Sequence, residues 1–218
     1  MIEAAIFDMD GTLVDNTAYH VRAFELFCER YGVRDWREKL ATAFGKGNDD
    51  IMRLIMPEEV IREKGIEALA EEKEAIYRAI YAPAIRPVAG LRELLERLRA
   101  AGIRCAVGSS GCRTNVEFVL ERCGIGAYFD VRISGDMVTR CKPDPEIYRT
   151  AAAALEVDPA RCVIFEDAKA GIEAARRAGA GRIVVLTTTL PCEELEREEG
   201  VDRIIDDFGD IRSVDELR

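Results

Sequence analysis

The sequence predicts an α/β protein, a parallel sheet with helices on both faces and an all-helical segment inserted after the first strand. Three observations predict it. From residue 90 onward, short apolar runs alternate with segments of helical periodicity. A further apolar run stands at the N-terminus, with no other strand pattern before residue 103. The intervening stretch, 16–87, carries helical patterns alone and ends in a linker with two prolines.

Strands are expected at 2–8, 103–109, 131–134, 162–167, 182–188 and, more weakly patterned, 203–206. Runs this short and apolar suit strands buried on both faces. Helices are expected at 90–101, 113–123, 144–155, 169–178 and 192–199. Leu91, Leu94, Leu95 and Leu98 are spaced by three and four, which places them on one helix face. Gly102, Gly124 and Gly179 each follow a helical pattern, where a left-handed capping residue is wanted. Pro145 falls near a helix start, where its missing N–H costs nothing. In the insert, helices are expected at 17–31, 49–56, 57–63 and 65–81. Val21, Phe24, Phe27, Cys28 and Tyr31 lie near one face of the first. The chain thus divides into a core, 1–15 and 88–218, and a helical cap, 16–87.

A chain of 218 residues can bury one sizeable core and a smaller lobe. Its formal net charge of −10 excludes nucleic acid and anionic membrane as partners, since both would repel it. No apolar stretch approaches the length of a membrane span. The N-terminus lacks a basic region and runs straight into a motif, so a signal peptide is not expected and a cytoplasmic location is. The seven cysteines form no C-x-x-C pair and read as reduced thiols filling core gaps, with Cys112 the one beside a candidate site. A single histidine argues against a zinc site.

In an open parallel sheet, ligands bind at the carboxyl ends of the strands. Four groups of polar residues stand at such ends. Asp8 and Asp10 flank Met9 before Gly11-Thr12. Two carboxylates so close need a proton or cation between them, and a hard divalent ion such as magnesium is suited to oxygen ligands. One carboxylate can attack phosphorus and the other can carry a proton to the leaving oxygen. Ser109, Ser110 and Gly111 precede a helix, where a hydroxyl and free N–H groups make an anion site. Lys142, set between irregular backbone and Pro143 and Pro145, is a fixed positive charge able to neutralise phosphate and nucleophile. Glu166 and Asp167 end an apolar strand and add candidate metal ligands. Singly, each group also reads as an ordinary turn, cap or loop residue. Their joint occurrence at successive strand ends is the stronger signal.

These motifs, Asp8-Met9-Asp10-Gly11-Thr12, Ser109, Lys142-Pro143-x-Pro145 and the run from Glu166 to Ala174, resemble the haloacid dehalogenase-like phosphatase superfamily, in its β-phosphoglucomutase-like subgroup. The resemblance implies a Rossmann-like core with a four-helix cap and a monomeric state. It implies that Asp8 is the nucleophile and Asp10 the general acid/base. Asp8, Asp167 and the carbonyl of Asp10 would hold Mg2+, with Glu166 ligating or supporting it. Ser109 and Lys142 would bind the transferring phosphoryl group. A true dehalogenase lacks the second acid of the first motif, so Asp10 and the Glu166-Asp167 pair argue against dehalogenation.

What becomes of the phosphoenzyme depends on the cap, which either admits water or excludes it. His20, in Asp15-x-x-x-Tyr19-His20, and Lys73, in Lys73-x-x-x-Tyr77, resemble mutase residues that meet substrate. The cap loop Phe44-Gly45-Lys46-Gly47-Asn48-Asp49-Asp50 departs from the mutase pattern, having no arginine for a distal phosphate. Lys46 and Asn48 are its candidates for substrate contact, and Asp49 and Asp50 would repel a second phosphate. After Ser109 and Ser110 the mutase carries a serine and a lysine; here Gly111 and Cys112 stand there, and Arg113 is the candidate to compensate. These departures favour a phosphatase of a small phosphorylated metabolite of sugar or polyol phosphate type. A β-phosphoglucomutase-type phosphomutase is the alternative, and a non-catalytic binding protein a third reading.

Overall fold

The computed structural model describes residues 2–43 and 46–217. Strand β1 (Ala4–Phe7) is followed by the helical insert: α1 (Thr17–Arg30), α2 (Trp36–Ala41), α3 (Asn48–Ile55), α4 (Glu58–Lys64) and α5 (Ile66–Tyr81). The chain then alternates: α6 (Leu91–Ala100), β2 (Arg104–Gly108), α7 (Arg113–Cys123), β3 (Val131–Ile133), α8 (Glu146–Ala154), β4 (Cys162–Glu166), α9 (Lys169–Ala178), β5 (Arg182–Leu186), α10 (Cys192–Leu195) and β6 (Arg203–Ile205). The six strands form one sheet in the order β3-β2-β1-β4-β5-β6, and every pairing is parallel. This is the Rossmann-like arrangement expected. The order reverses about β1, which places a crevice beyond its carboxyl end.

The side-chain period of two builds the two layers. Ala5 and Phe7 of β1 face one core cluster with Val163 and Phe165 of β4; Ala4 and Ile6 face the other with Cys162 and Ile164. On the first face, Phe7 stacks on Phe165 at 4.5 Å, and both meet Phe208. Burial of each ring contributes about 1.5–3 kcal/mol. Leu91, Leu94, Leu95 and Leu98 of α6 cover this face, all fully buried, as their spacing predicts. The second face packs on Ile147 and Tyr148 of α8 and Ile172 of α9. Gly124 and Gly179 end α7 and α9 in the left-handed conformation expected of them.

The insert has a hydrophobic cluster of its own, in which Phe24, Phe27 and Cys28 of α1 pack with Trp36, Leu40, Met52, Ile55 and Leu69. It contains five helices among the described residues rather than four. The additional one, α2, buries Trp36 and Leu40, one turn apart, which is too short a repeat to stand out in the sequence. Two expected helices are shorter. One begins at Glu146 with Pro145 as its N-cap, and that expected at 192–199 is a single turn, Cys192–Leu195. Phe44 and Gly45 of the cap loop lie outside the described residues. None of the described helices is long and apolar enough to cross a membrane.

Candidate active site

Strand register assembles the centre. Phe7 is level with Val107 on one side and Phe165 on the other, so Asp8 leaves β1 level with Glu166. Asp8 continues the face of Ala4 and Ile6, and Glu166 the face of Cys162 and Ile164. Both carboxylates therefore emerge on the side covered by α8, where Lys142 and Tyr148 meet them. Lys142 Nζ donates to Asp8 Oδ1 and to Glu166 Oε1, each at 2.6 Å. The Tyr148 hydroxyl donates to the same Glu166 oxygen, and Glu166 Oε2 accepts the backbone N–H groups of Asp167 (3.0 Å) and Ala168 (3.3 Å). Both oxygens of Glu166 are thus engaged within the protein.

Asp8, Glu166 and Asp167 are buried, and ligand atoms from the three lie within 4.8 Å of one another. Three carboxylates face one ammonium. Burial raises the pKa of Asp8 to about 7, with repulsion from Glu166 and Asp10 adding to the rise and Lys142 opposing it. Burial, with Glu166 and Asp8 beside it, holds Asp167 well above the usual carboxylate range. Lys142 moves the other way: burial would lower its pKa, but Asp8 and Glu166 outweigh that and raise it.

Two glycines leave room for this packing. A Cβ on Gly11, whose φ is +80°, would overlap the Asp167 carboxylate, and a Cβ on Gly171 would overlap that of Glu166. Gly111 packs over the centre from α7's approach; a Cβ there would stand 3.2 Å from Ser109 Oγ and 3.4 Å from Asp10 Oδ2. Ser109 Oγ accepts the Gly111 N–H at 3.0 Å.

Asp10 is bound to the insert. Asn16 Nδ2 donates to Asp10 Oδ1 at 2.6 Å, and His20 Nε2 lies 3.4 Å from the same oxygen. Burial acts to raise the Asp10 pKa, but His20 and Asn16 outweigh it and hold the carboxyl below its ordinary value. His20 stacks on Tyr77 at 3.9 Å, and its Nδ1 lies 3.4 Å from Lys73 Nζ.

A cavity of about 80 Å³ joins these groups between core and insert. Asp8, Asp10, Ser109, Ser110, Gly111 and Asp167 line it from the core, and His20, Lys46, Asn48 and Lys73 from the insert. A cleft of about 920 Å³ shares Asn48 and Ser110 with it and carries Asp49 and Asp50. Arg113 is not brought to the cavity. It opens α7, its N–H donates to Asp136, and its side chain lines a separate groove with Glu117, Phe129 and Arg132. Sequence reasoning missed Asn16, Glu74 and Asn115, which contact these groups or line the cavity. Glu74 follows Lys73 in a Lys/Glu-rich helix, where a solvated acid is the ordinary expectation; nothing local marks it as buried.

A sequence model described as haloacid dehalogenase-like hydrolase matches residues 5–185. Validoxylamine A 7'-phosphate phosphatase of Streptomyces hygroscopicus subsp. limoneus is 35% identical, covering 97% of each chain. A phosphorylated carbohydrates phosphatase of Thermotoga maritima is 32% identical, covering 84% of each. Among solved structures, CbbY of Rhodobacter sphaeroides in complex with xylulose-(1,5)bisphosphate superposes with a TM-score of 0.83 at 30% identity, covering 100% of this chain and 99% of that one.

Proposed function

The chain belongs to the haloacid dehalogenase-like hydrolase family, and from that premise we propose that it is a magnesium-dependent phosphohydrolase of small phosphate esters, of sugar or polyol phosphate type, working through an aspartyl phosphate on Asp8. The observation that carries the reading is the buried cluster of Asp8, Glu166 and Asp167, in which Lys142 joins Asp8 to Glu166 and from which Asp8 and Asp167 reach the cavity wall. The relatives named as phosphatases of phosphorylated carbohydrates support the substrate class.

The donor set fits magnesium. Its atoms are hard oxygens, and three buried carboxylates with one ammonium leave an excess negative charge that a divalent cation offsets. Asp8 and Asp167 would hold the ion with the carbonyl of Asp10. Glu166, with both oxygens bonded within the protein, would support it by fixing Lys142 and the start of α9. When bound, magnesium supplies positive charge against the phosphoryl oxygens and favours ionised Asp8.

Lys142 engages Oδ1 of Asp8 and leaves the other oxygen for phosphorus. A bond forms between that oxygen and phosphorus as the ester P–O bond breaks, and the leaving oxygen takes a proton from Asp10. Asp10 takes up that proton before the site closes, with its carboxyl held in place by Asn16 Nδ2 and His20 Nε2. It then accepts one from the water that attacks the acyl phosphate. Ser109 and Lys142 hold the phosphoryl oxygens as charge gathers on them. The helical insert serves as the cap that closes this cavity.

A panel of phosphate monoesters, assayed for released phosphate with magnesium and with EDTA, tests the reading. Magnesium-dependent release is expected, lost in Asp8→Asn while the circular dichroism spectrum shows the fold intact. Isomerisation of β-glucose 1-phosphate with little phosphate release would instead establish the phosphomutase alternative.

A further inference from the structure

Glu74 has no part in the chemistry above, yet it lines the cavity with 2% of its surface exposed. Its Oε1 accepts from Lys73 Nζ at 2.5 Å, and its Oε2 accepts from Asn115 Nδ2 at 2.7 Å. Asn115 belongs to α7 of the core, and its own Oδ1 accepts from Arg78 Nη1 at 2.8 Å. Burial acts to raise the Glu74 pKa, but Lys73, with His20 and Asn115, brings it below the ordinary carboxylate value. The group is therefore a buried anion at neutral pH.

Lys73 is correspondingly satisfied. Besides Glu74 it has His20 Nδ1 at 3.4 Å and the Phe24 ring beneath it at 4.5 Å. The buried cation on the cap side of the cavity is thus matched, charge for charge. Phe24, Leu40 and Ile51 add apolar wall there. Lys46 remains, half-buried, with Asp49 and Asp50 close behind it in sequence at the adjoining cleft.

Resting on the phosphatase reading, we infer that Glu74 is a specificity-determining residue: by neutralising Lys73 it fits the cap side of the cavity to an uncharged, hydroxyl-bearing leaving group, so that monophosphate esters enter and bisphosphates are rejected. A second phosphate carries about −1.5 to −2 at neutral pH. Placed in this cavity it would meet no net positive charge there, only a lysine already paired with a buried carboxylate, and so would lose its hydration without a counter-charge. Hydroxyl groups meet groups they can satisfy in the Asn48 amide and the Thr17 hydroxyl, which line the cavity. The fold does not itself exclude a second phosphate, since the CbbY structure of this fold holds a bisphosphate. Exclusion falls to side chains.

The test uses mono- and bisphosphate pairs on one carbon skeleton (fructose 1-phosphate with fructose 1,6-bisphosphate, ribulose 5-phosphate with ribulose 1,5-bisphosphate) and p-nitrophenyl phosphate as a general reporter. The wild-type protein should have a kcat/KM at least about tenfold higher for the monophosphate of a pair. Where neither member turns over, each is read as an inhibitor of p-nitrophenyl phosphate hydrolysis, and the monophosphate should inhibit the more strongly. Glu74→Gln should narrow the discrimination about tenfold by improving the bisphosphate, and Glu74→Asp, which keeps the charge, should preserve it. Equal use of both esters by the wild type overturns the inference without any variant. Equal loss on both esters in Glu74→Gln and Glu74→Asp overturns it too, leaving a structural role. Failure of the wild type to hydrolyse even p-nitrophenyl phosphate would instead remove the phosphatase reading, and this inference with it.

Discussion

Replacing Lys142 with methionine isolates the charge that holds the centre together, because the volumes are similar and only the ammonium is lost. Two charge-assisted hydrogen bonds of 2.6 Å disappear, and Asp8, Glu166 and Asp167 remain buried without a counter-charge. Breaking a buried ion pair from one side costs about 3–5 kcal/mol. For a chain of this length that lowers the melting temperature by about 10 °C. The penalty must depend on pH. Asp8 already has its pKa raised by burial to about 7 with Lys142 opposing the rise, so the variant raises it further. A group whose folded-state pKa lies above its unfolded value takes up a proton on folding. Its penalty is absent below the unfolded value, about 4, and grows as pH rises through the folded one.

Urea unfolding in EDTA, with wild type and Lys142→Met compared at pH 5 and pH 8, measures this. The gap should be about 3–5 kcal/mol at pH 8 and at most about half that at pH 5. A gap below about 1 kcal/mol at pH 8, or one that does not change with pH, would refute the reasoning. The first result would mean the carboxylates are hydrated, and the second that the lysine acts through packing alone.

Two further outcomes follow from the same geometry. Asp10→Asn should lower kcat on a sugar phosphate about 10²–10⁴-fold; on p-nitrophenyl phosphate it should spare the first step to within about tenfold, because a nitrophenolate leaves without a proton, yet slow the turnover that follows, because water still needs its base; a stopped-flow burst of nitrophenolate followed by a depressed steady rate decides it. Gly171→Ala should cost about 1–3 kcal/mol in thermal unfolding and depress kcat, since its methyl would displace the Glu166 carboxylate from Lys142.

The core of the site was legible because strand register fixes it. Once β1 and β4 are paired in parallel, the residues after Phe7 and Phe165 must stand side by side, and a sequence reader can place both. Lys142 was legible for a different reason: its prolines announce irregular backbone between a strand and a helix. The cap was less legible. Its residues are positioned by helix packing, where a rotation of one residue turns a side chain from solvent to cavity. Lys73 and Glu74 are adjacent in α5, and both are buried because their charges satisfy each other, which a pattern of apolar spacing does not detect. Arg113 illustrates the converse. Counting from Ser109 suggests it for substrate contact, but as the first residue of α7 it lines a separate groove with Glu117 and Arg132.

The polar links between cap and core also bear on how the cavity closes. From Asp10 a continuous series runs through His20, Lys73 and Glu74 to Asn115, starting and ending on the core and crossing the cap between. Asn16 ties Asp10 to Tyr77 beside it, and Thr17 meets Thr189 at 3.0 Å. Each of these groups has a protein partner in the closed arrangement, and each would have water in an open one. A hydrogen bond exchanged for water contributes only about 0.5–1.5 kcal/mol net. If the insert is the cap proposed above, a handful of such bonds, offset by the entropy of docking it, would make closure a shallow preference rather than a lock. The same series makes the position of Asp10 conditional on the cap, because His20, one of the side chains that hold its carboxylate, arrives with α1.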